Sequence, residues 1–406
     1  MTADGAMAIG RVRVLHVATV AMSTVFLRGQ AGFMKRKGFD VHVLTSPGDE
    51  LEGFAREEGV TTHTASMARR ISPLADVGAV RDIRRVIRAT APTVVHAHTP
   101  KGGLLGLTAA ASAGVPVRIY QMRGLPFVTA TGSRRALLRT SERVSCSLAH
   151  RVLANSRSMA GTAIEEGICP PAKLDVLCGG SGNGVDANGK FDPGRYGSTV
   201  RGETRDRLEI PRDARVLGFV GRLVRDKGVV ELAEAWAELR VDYPDLHLVL
   251  VGPLEERDRI PRSTEASLRS DPRVHLTGLD WETPPLYAAM DIVALPTYRE
   301  GFPNVPLEAA AMELPVVATR VPGCMDAVVA GETGLLARAR DSAALAGAIR
   351  AYLDDAGLRA RHGRAGRARV VRDFRQEALW EALYAEYCRL LDEGGLTTPD
   401  ETGAAA

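Results

Sequence analysis

The most informative segment of the chain spans residues 292–312 and reads I-V-A-L-P-T-Y-R-E-G-F-P-N-V-P-L-E-A-A-A-M. Its first four residues form a continuous apolar run, which predicts a strand buried on both faces, as in a parallel sheet. Asn304 is a favoured N-cap residue, and Pro306 fits only the first turn of a helix. A helix is therefore predicted to begin near Val305. The segment is one strand–loop–helix unit.

The same unit recurs through both halves of the 406-residue chain. Apolar runs alternate with amphipathic segments, and in one of these Leu232, Ala235, Trp236 and Leu239 share a helical face. The predicted strands are Val12–Val17, Val41–Thr45, Val94–Ala97, Val117–Tyr120, Val152–Ala154, Val216–Val220, Leu246–Val251, Val274–Thr277, Ile292–Leu295 and Val316–Thr319. This alternation predicts an α/β fold of two tandem, Rossmann-like, doubly wound domains. Such sheets bind ligands at the carboxyl ends of their strands, so we expect the two domains to face each other across a cleft.

A run of turn residues from Gly179 to Pro193 marks the predicted domain boundary. We expect an N-terminal domain at residues 1–190 and a C-terminal domain at 191–374. A helix at 375–395 should pack back on the N-terminal domain, and a disordered tail should follow at 396–406. Basic residues exceed acidic ones by ten in the first 190 residues, whereas acidic residues exceed basic ones by seven in the remainder.

The composition is that of an ordinary globular protein, and it disfavours several classes of protein. A net charge of +3 and an aromatic content of 5% give little support for nucleic-acid binding. The apolar stretch from Gly102 to Val117 is too short and too rich in small residues to span a bilayer, and residues 1–10 lack a signal-peptide core. Five scattered cysteines without a C-x-x-C pair favour a reducing compartment over a disulfide framework or a zinc site. We therefore expect a cytoplasmic protein.

Two carboxylates flank the loop within residues 292–312. Glu300 lies in the loop and Glu308 in the helix, so both can line one pocket together with the free backbone amides of residues 301–305. Amides at a helix N-terminus suit a phosphate, and carboxylates accept hydrogen bonds from sugar hydroxyls. The candidate binding residues here are Gly301, Phe302, Pro303, Asn304 and Glu308. Alternatively, both glutamates only favour the dipole at the start of the helix.

Residues 218–228 read G-F-V-G-R-L-V-R-D-K-G and place two cations at a strand–helix junction. Gly221 permits close approach of the backbone, and Arg222 and Lys227 can neutralise a diphosphate. P-loop hydrolysis and dinucleotide redox chemistry are poorly supported, because neither glycine motif occurs in its expected place. The sequence has no Asp-x-Asp, so no metal site is predicted on the diphosphate. Alternatively, both cations only solubilise the surface.

Residues 94–103 read V-V-H-A-H-T-P-K-G-G and place His96 and His98 on the same side of a strand end. The two could bind a metal, but no Cys, Asp or Glu nearby in sequence completes a site. The alternative is a structural histidine whose hydrogen bonds are all made within a tight turn, and this alternative is favoured for His96. Arg123 follows the predicted strand Val117–Tyr120, which places it at the expected cleft edge. His98 and Arg123 are the candidate catalytic residues of this half.

Taken together, these motifs resemble those of the family-four retaining glycosyltransferases, which have the GT-B fold. The motifs in the family's order are V-V-H-A-H-T-P-K, N-G-V-D at Asn183–Asp186, G-R-L-x-x-x-K-G at Gly221–Gly228, E-G-F-P-N-V-P-L-E at Glu300–Glu308 and P-V-V-A-T at Pro315–Thr319. Two further stretches, R-I-Y-Q-M-R-G-L-P-F and S-G-N-G-V-D, are similar to those of the branch that builds bacterial surface polysaccharides.

The resemblance implies a nucleoside-diphosphate sugar as donor substrate in the second domain and a saccharide acceptor in the first, with no metal and no further cofactor. By this resemblance Glu308 holds the ribose, Glu300 contacts the donor-sugar hydroxyls, and Arg222 and Lys227 bind the diphosphate. The leaving phosphate itself takes the acceptor's proton, and the anomeric configuration is retained. Arg123 stands where many relatives have a histidine, so it is expected to meet a phosphate or a charged sugar substituent.

Basic residues recur at helical spacing in the first half of the chain. They are Arg81, Arg84, Arg85 and Arg88, then Arg135, Arg139 and Arg143. Such runs are usually solvated helix faces. The net charge of the first half nevertheless suits an anionic membrane surface that carries a lipid-diphosphate-linked acceptor, with the protein peripheral at the inner face of the membrane. The alternatives are a natural-product glycosyltransferase with a soluble acceptor, a nucleotide-sugar epimerase of the same fold and a non-catalytic sugar-nucleotide sensor.

Overall fold

The computed structural model describes residues 12–68, 72–256 and 258–399. The strands in these ranges are β1 Arg13–Val17, β2 Asp40–Thr45, β3 Thr61–Thr64, β4 Val94–His98, β5 Val117–Met122, β6 Arg151–Ala154, β7 Leu174–Asp175, β8 Arg215–Val220, β9 Leu246–Val251, β10 Val274–Gly278, β11 Ile292–Leu295, β12 Val316–Thr319 and β13 Gly334–Ala337. The α-helices in the same ranges are α1 Gln30–Arg36, α2 Glu50–Glu58, α3 Pro73–Thr90, α4 Pro100–Ser112, α5 Gly132–Leu148, α6 Arg157–Glu165, α7 Ser198–Arg207, α8 Val229–Asp242, α9 Arg262–Ser270, α10 Thr283–Ala289, α11 Asn304–Ala311, α12 Cys324–Ala327, α13 Ser342–Asp354, α14 Ala356–Asp373 and α15 Gln376–Glu393.

These strands form two parallel sheets. The first has the order β3-β2-β1-β4-β5-β6-β7 and the second the order β10-β9-β8-β11-β12-β13. β1 lies between β2 and β4 in the first sheet, and β8 lies between β9 and β11 in the second. In each sheet the chain therefore adds strands on both sides of the one that comes first in sequence. This is the doubly wound arrangement, and the predicted fold class is confirmed. Three strands that the sequence pattern did not predict, β3, β7 and β13, lie at sheet edges.

The chain divides into two compact units. The first runs through Ala154, includes Thr162–Leu177 and resumes at Ala378, whereas the second comprises Asn155–Gly161 and Cys178–Glu377. Apart from Asn155–Gly161, the second unit thus begins at residue 178, earlier than the boundary expected at 190. The turn-rich stretch belongs to the second unit because Val185 is buried in its core and donates a backbone hydrogen bond to the carbonyl of Phe374 (2.9 Å).

The core of each unit consists of strand residues and the helix faces that cover them. The predicted helical face of α8 is confirmed, since Leu232, Ala235, Trp236 and Leu239 are all buried. In the first unit, α15 contributes Tyr387 and three leucines to the core. The Tyr387 hydroxyl lies 2.6 Å from His96 Nδ1 on β4. Residues 400–406, most of the expected tail, lie outside the described residues.

Among the described helices, none is both long enough and apolar enough to cross a bilayer.

Candidate active site

The candidate residues of the second unit follow two neighbouring strands, β8 and β11. The loop after β8 contains a 3-10 turn at Arg225–Lys227, and the loop after β11 leads into α11. Gly228 brings the two loops together: it has a φ of +71°, and a Cβ on this residue would lie 2.0 Å from the carbonyl oxygen of Pro296. A side chain at this position would separate the loops, so the glycine of the K-G step is required by the packing.

Lys227 and Glu300 meet in an ion pair, in which Lys227 Nζ donates to Glu300 Oε1. Their side chains are only 21% and 12% exposed, so the pair is largely shielded from solvent. The structure therefore brings these two predicted residues together. Each holds the other in place before any ligand arrives, and the pair presents one positive and one negative group at a single point.

A second ion pair, which the sequence analysis missed, supports the first. Arg299 donates from Nε (2.9 Å) and Nη2 (2.6 Å) to Asp226 Oδ2. The backbone amide of Tyr298 also donates to the carbonyl of Asp226 (2.8 Å). The signal was present in the sequence as two complementary dipeptides, Asp226-Lys227 and Arg299-Glu300. The two ion pairs, Lys227–Glu300 and Arg299–Asp226, together fix the relative position of the two loops.

Arg222 lies at the exit of β8 and forms a more exposed ion pair. Its Nη1 donates to Glu255 Oε2 (2.9 Å), and the two side chains are 46% and 23% exposed. The backbone of Gly221, with a φ of +147°, leads into this loop. Glu255 was not a predicted site residue. Within the described residues Arg222 thus pairs with Glu255, while Lys227 pairs with Glu300.

Helix α11 begins at Asn304, and its N-cap residue is Pro303, so the prediction of Asn304 as N-cap was wrong by one position. No described side chain accepts a hydrogen bond at this N-terminus. The amides of the first turn and the positive end of the helix dipole therefore suit an anionic group. Gly301 and Pro303 are buried beside this end of the helix. Phe302 is a core residue whose ring lies 5.4 Å from that of Phe374, which leaves its backbone as the part that can contact a ligand.

Glu308 extends from α11 and accepts a hydrogen bond from the Tyr287 hydroxyl on α10 (2.8 Å). Burial raises the pKa of Glu308, while the hydrogen bond from Tyr287 and the charge of Lys190 oppose that rise. Tyr287 itself is fully buried, so its hydroxyl is a fixed donor. The carboxyl group of Glu308 is held in one orientation and retains capacity to accept further hydrogen bonds.

In the first unit, three buried histidines come together at the carboxyl ends of β1 and β4. His16 is paired in register with His96, and His98 follows two residues later on the same side of β4. Their side chains are at most 2% exposed, and one ring nitrogen from each lies within 4.8 Å of the others. The sequence offers no Cys, Asp or Glu near His96 and His98, and the residue that joins them is another histidine, His16. The third member is distant in sequence and reaches the site through strand pairing.

Arg123 completes the cluster. Its Nη2 lies 3.2 Å from His98 Nδ1, and its guanidinium carbon lies 4.4 Å from the centre of the Phe26 ring. Burial lowers the pKa of Arg123 to about 9, which still leaves it charged at neutral pH. Burial, and then the charge of Arg123, lower the pKa of His16 to about 3. Burial also holds the pKa of His98 well below its usual value, so these imidazoles are neutral at physiological pH.

Comparison with known proteins identifies the class. The family described as "Glycosyl transferase 4-like domain" matches residues 23–180, and "Glycosyl transferases group 1" matches residues 214–355. The capsular polysaccharide biosynthesis glycosyltransferase CapM of Staphylococcus aureus is 33% identical over 381 residues, which cover 94% of this chain and 98% of CapM. The UDP-Gal:alpha-D-GlcNAc-diphosphoundecaprenol alpha-1,3-galactosyltransferase of Escherichia coli is 26% identical over 70% of this chain and 72% of its own length.

The fold agrees with that of solved glycosyltransferase-like structures. Anabaena HepE, in a crystal structure with UDP and glucose, has a TM-score of 0.77 at 20% sequence identity and matches 93% of this chain and 100% of its own. The two parallel α/β units thus have the GT-B fold. The chain belongs to the family-four glycosyltransferases, in the branch that builds bacterial surface polysaccharides.

Proposed function

We propose that this glycosyltransferase moves a sugar from a nucleoside diphosphate to a lipid-linked saccharide, with retention of the anomeric configuration and without a metal ion. The observation that carries the proposal is the convergence of the shielded Lys227–Glu300 pair with the uncapped N-terminus of α11 at the loops after β8 and β11. A cation and free amides suit a diphosphate, while carboxylates suit sugar and ribose hydroxyls.

The proposed roles follow from the contacts. Lys227 shifts from Glu300 toward the diphosphate and stabilises the charge that develops on it, with Arg222 as a second and more exposed cation. Once Lys227 lies against the bound diphosphate, little further reorganisation is needed at the moment of reaction. Glu300 accepts hydrogen bonds from the donor sugar. Glu308, oriented by Tyr287, accepts hydrogen bonds from the ribose.

Retention without a protein nucleophile requires that the leaving phosphate accept the proton of the attacking hydroxyl on the same face of the sugar. The protein then supplies positive charge and orientation, which is the chemistry that a lysine, an arginine and a helix N-terminus can provide. Two cations also perform the charge neutralisation that a divalent ion would otherwise supply. This mechanism predicts full activity in the presence of a chelator.

A membrane-bound acceptor is supported by one helix of the first unit. Leu74 and Val77, on the first turn and a half of α3, are 91% and 66% exposed, and exposed Arg81 and Arg88 follow on the same helix. Apolar and basic side chains together are typical of a helix that lies on an anionic lipid surface. The E. coli relative is named for an acceptor sugar linked to diphosphoundecaprenol, which is a lipid-diphosphate-linked saccharide of the class proposed here.

The second basic run, on α5, forms contacts within the first unit rather than a free basic surface for a membrane. Arg135 and Arg139 both pair with Glu166 (2.7 and 3.1 Å), and Arg143 donates to the carbonyl of Gly167 (2.7 Å). These arginines hold α5 against residues 166–167. The membrane proposal therefore rests on α3.

Transfer is tested by screening nucleotide sugars for a rise in melting temperature and then incubating the stabilising donor with a polyprenyl-diphosphate-linked saccharide, with and without EDTA. We expect a product one sugar heavier, an unchanged rate in EDTA, and an anomeric proton coupling in the product that matches the donor configuration. An inverted product, or a rate abolished by EDTA and restored by a divalent ion, would refute the mechanistic part. Conversion of the donor alone to an epimer would refute the transferase assignment.

Membrane contact is tested by flotation with vesicles containing anionic phospholipid. The wild-type protein should float, and Leu74→Glu with Val77→Glu should remain in the soluble fraction. Val241 on α8, which is 74% exposed in the second unit, provides the matched control: Val241→Glu should float like the wild type. A wild-type protein that stays soluble contradicts the membrane proposal and leaves the transfer reaction to the preceding assay.

A further inference from the structure

We propose that His16 is a positioning residue, which acts through His98 to hold the guanidinium of Arg123 at the carboxyl edge of the first sheet. The inference rests on the proposed function, because that function gives Arg123 and His98 their part in the transfer reaction. None of the sequence motifs pointed to His16. Its place follows from the strand register and from one hydrogen bond.

The protonation states follow from the donors and acceptors. A guanidinium has only donors, so His98 Nδ1, which lies 3.2 Å from Arg123 Nη2, must be the acceptor. A neutral His98 then carries its proton on Nε2. That nitrogen lies 2.9 Å from His16 Nδ1, which must accept in turn. The chain of hydrogen bonds therefore runs from Arg123 through His98 to His16, and it fixes the tautomer of both histidines.

The chain ends in an unsatisfied group. If His16 Nδ1 accepts, the proton of His16 is on Nε2, and this buried atom has no hydrogen-bond partner among the described residues. A buried donor without an acceptor costs stability, whereas a leucine at the same place in the core would carry no such cost. His16 is thus a residue that the fold tolerates rather than one that the fold needs. This separates a positioning role from a purely structural one.

The same three histidines could instead hold a metal ion, since their ring nitrogens converge. One contact and one charge of Arg123 disfavour that assignment. A histidine that binds a metal through one nitrogen usually donates its other N–H to a carboxylate or carbonyl, but the group facing His98 Nδ1 is a guanidinium, itself a donor. The positive charge of Arg123 beside the cluster also opposes a divalent cation. In addition, the hydrogen bond from His98 occupies the lone pair of His16 Nδ1, which a metal bound at that nitrogen would need.

The burial and charges around the cluster support neutral imidazoles. Two groups face His16 and His98: His96 from β4, and Arg123 from the loop after β5. Tyr387 from α15 lies against His96. Tyr387 stays protonated, because burial raises its pKa far above the ordinary value. The chain of fixed tautomers is therefore available throughout the physiological pH range.

The test compares His16→Leu, which removes the acceptor, with His16→Asn, whose side-chain oxygen can take the place of Nδ1. His63→Leu is the matched control, because it breaks another histidine–histidine contact of the same sheet (His42 Nδ1 to His63 Nε2, 2.8 Å) that does not reach Arg123. Three quantities are measured in the full-length protein: kcat/KM for transfer, the melting temperature, and the tautomer of His98 from the ¹⁵N spectrum of histidine-labelled protein.

We expect kcat/KM to fall at least about tenfold in His16→Leu, as for loss of a buried hydrogen-bond acceptor, and to recover to within about threefold in His16→Asn. The melting temperature of His16→Leu should be equal to or above that of the wild type, and His63→Leu should keep wild-type kcat/KM. In the wild type, His98 should carry its proton on Nε2.

Unchanged activity in His16→Leu would overturn the proposal, as would a wild-type His98 protonated on Nδ1. Stoichiometric zinc in the purified protein, lost on changing any of the three histidines, would also overturn it in favour of a metal site. If no donor and acceptor support transfer, the proposed function fails, but the tautomer and melting measurements still decide whether the hydrogen-bonded chain exists.

Discussion

Replacing Lys227 by alanine is the perturbation for which the structure gives the clearest magnitude. The substitution removes a cation whose side chain is 21% exposed and leaves Glu300, at 12% exposed, without its ion-pair partner. A lost preorganised charge partner of a transition state costs about 2.7–4 kcal/mol, so we expect kcat to fall about 100- to 1,000-fold. Binding of the donor should also weaken, because the carboxylate of Glu300 is then left facing a diphosphate without a compensating charge.

The assay is steady-state transfer, with donor affinity measured separately by calorimetry. Arg225→Ala is the control, since Arg225 lies on the same 3-10 turn, is exposed, and donates to a backbone carbonyl of Arg259 (3.2 Å). It should stay within about twofold of the wild type, as surface substitutions usually do. Glu300→Gln should also lower kcat. The kcat of the double variant Lys227→Ala with Glu300→Gln should be within about tenfold of that of Lys227→Ala alone, because the effects of substitutions at residues in contact are not additive. Near-normal turnover in Lys227→Ala, or strict additivity in the double variant, would contradict the proposed role of the Lys227–Glu300 pair.

Three further outcomes are expected. Tyr287→Phe removes the donor to Glu308 and should raise the KM for the nucleotide sugar about tenfold with little change in kcat, as initial rates will report. Gly228→Ala places a Cβ 2.0 Å from the carbonyl oxygen of Pro296 at a φ of +71°, so it should lower the melting temperature and cost at least about 2 kcal/mol in chemical denaturation. Burial raises the pKa of Glu142 from 4.5 to about 7, so the folded state holds this proton more tightly and its stability should fall as the pH rises from 4.5 to 7, then level off. Glu142→Gln should remove that slope and be more stable at pH 8 by about 3 kcal/mol, and a mutant with the wild-type pH profile would contradict the assignment.

The central strands of both sheets could be predicted from sequence because a strand buried on both faces must be apolar throughout. Of the four edge strands in the described residues, β10 was predicted, but β3, β7 and β13 could not be, because one side of each is free of a neighbouring strand and less of each is buried. Thr61–Thr64 has no fully buried residue, and Leu174–Asp175 is only two residues long. Neither leaves a continuous apolar run, so the sequence pattern contains no signal for them.

The site was predictable where its residues follow one another along the chain. Glu300, Glu308 and Lys227 stand at strand–helix junctions, and local turn chemistry is sufficient to place them there. The partners of these residues were not found in the same way, because a contact such as that of Lys227 with Glu300 depends on which strands are neighbours in the sheet. His16 was missed for the same reason: it lies within an otherwise apolar run near the end of β1, and only the register of β1 against β4 places it next to His96.

The most direct test of the proposed donor site is a crystal structure with the nucleotide sugar that raises the melting temperature most. We expect the diphosphate within hydrogen-bond distance of Lys227 Nζ and of the first-turn amides of α11, with Glu300 released from the lysine and turned to the sugar hydroxyls. A ligand bound elsewhere, with the Lys227–Glu300 pair intact, would contradict it.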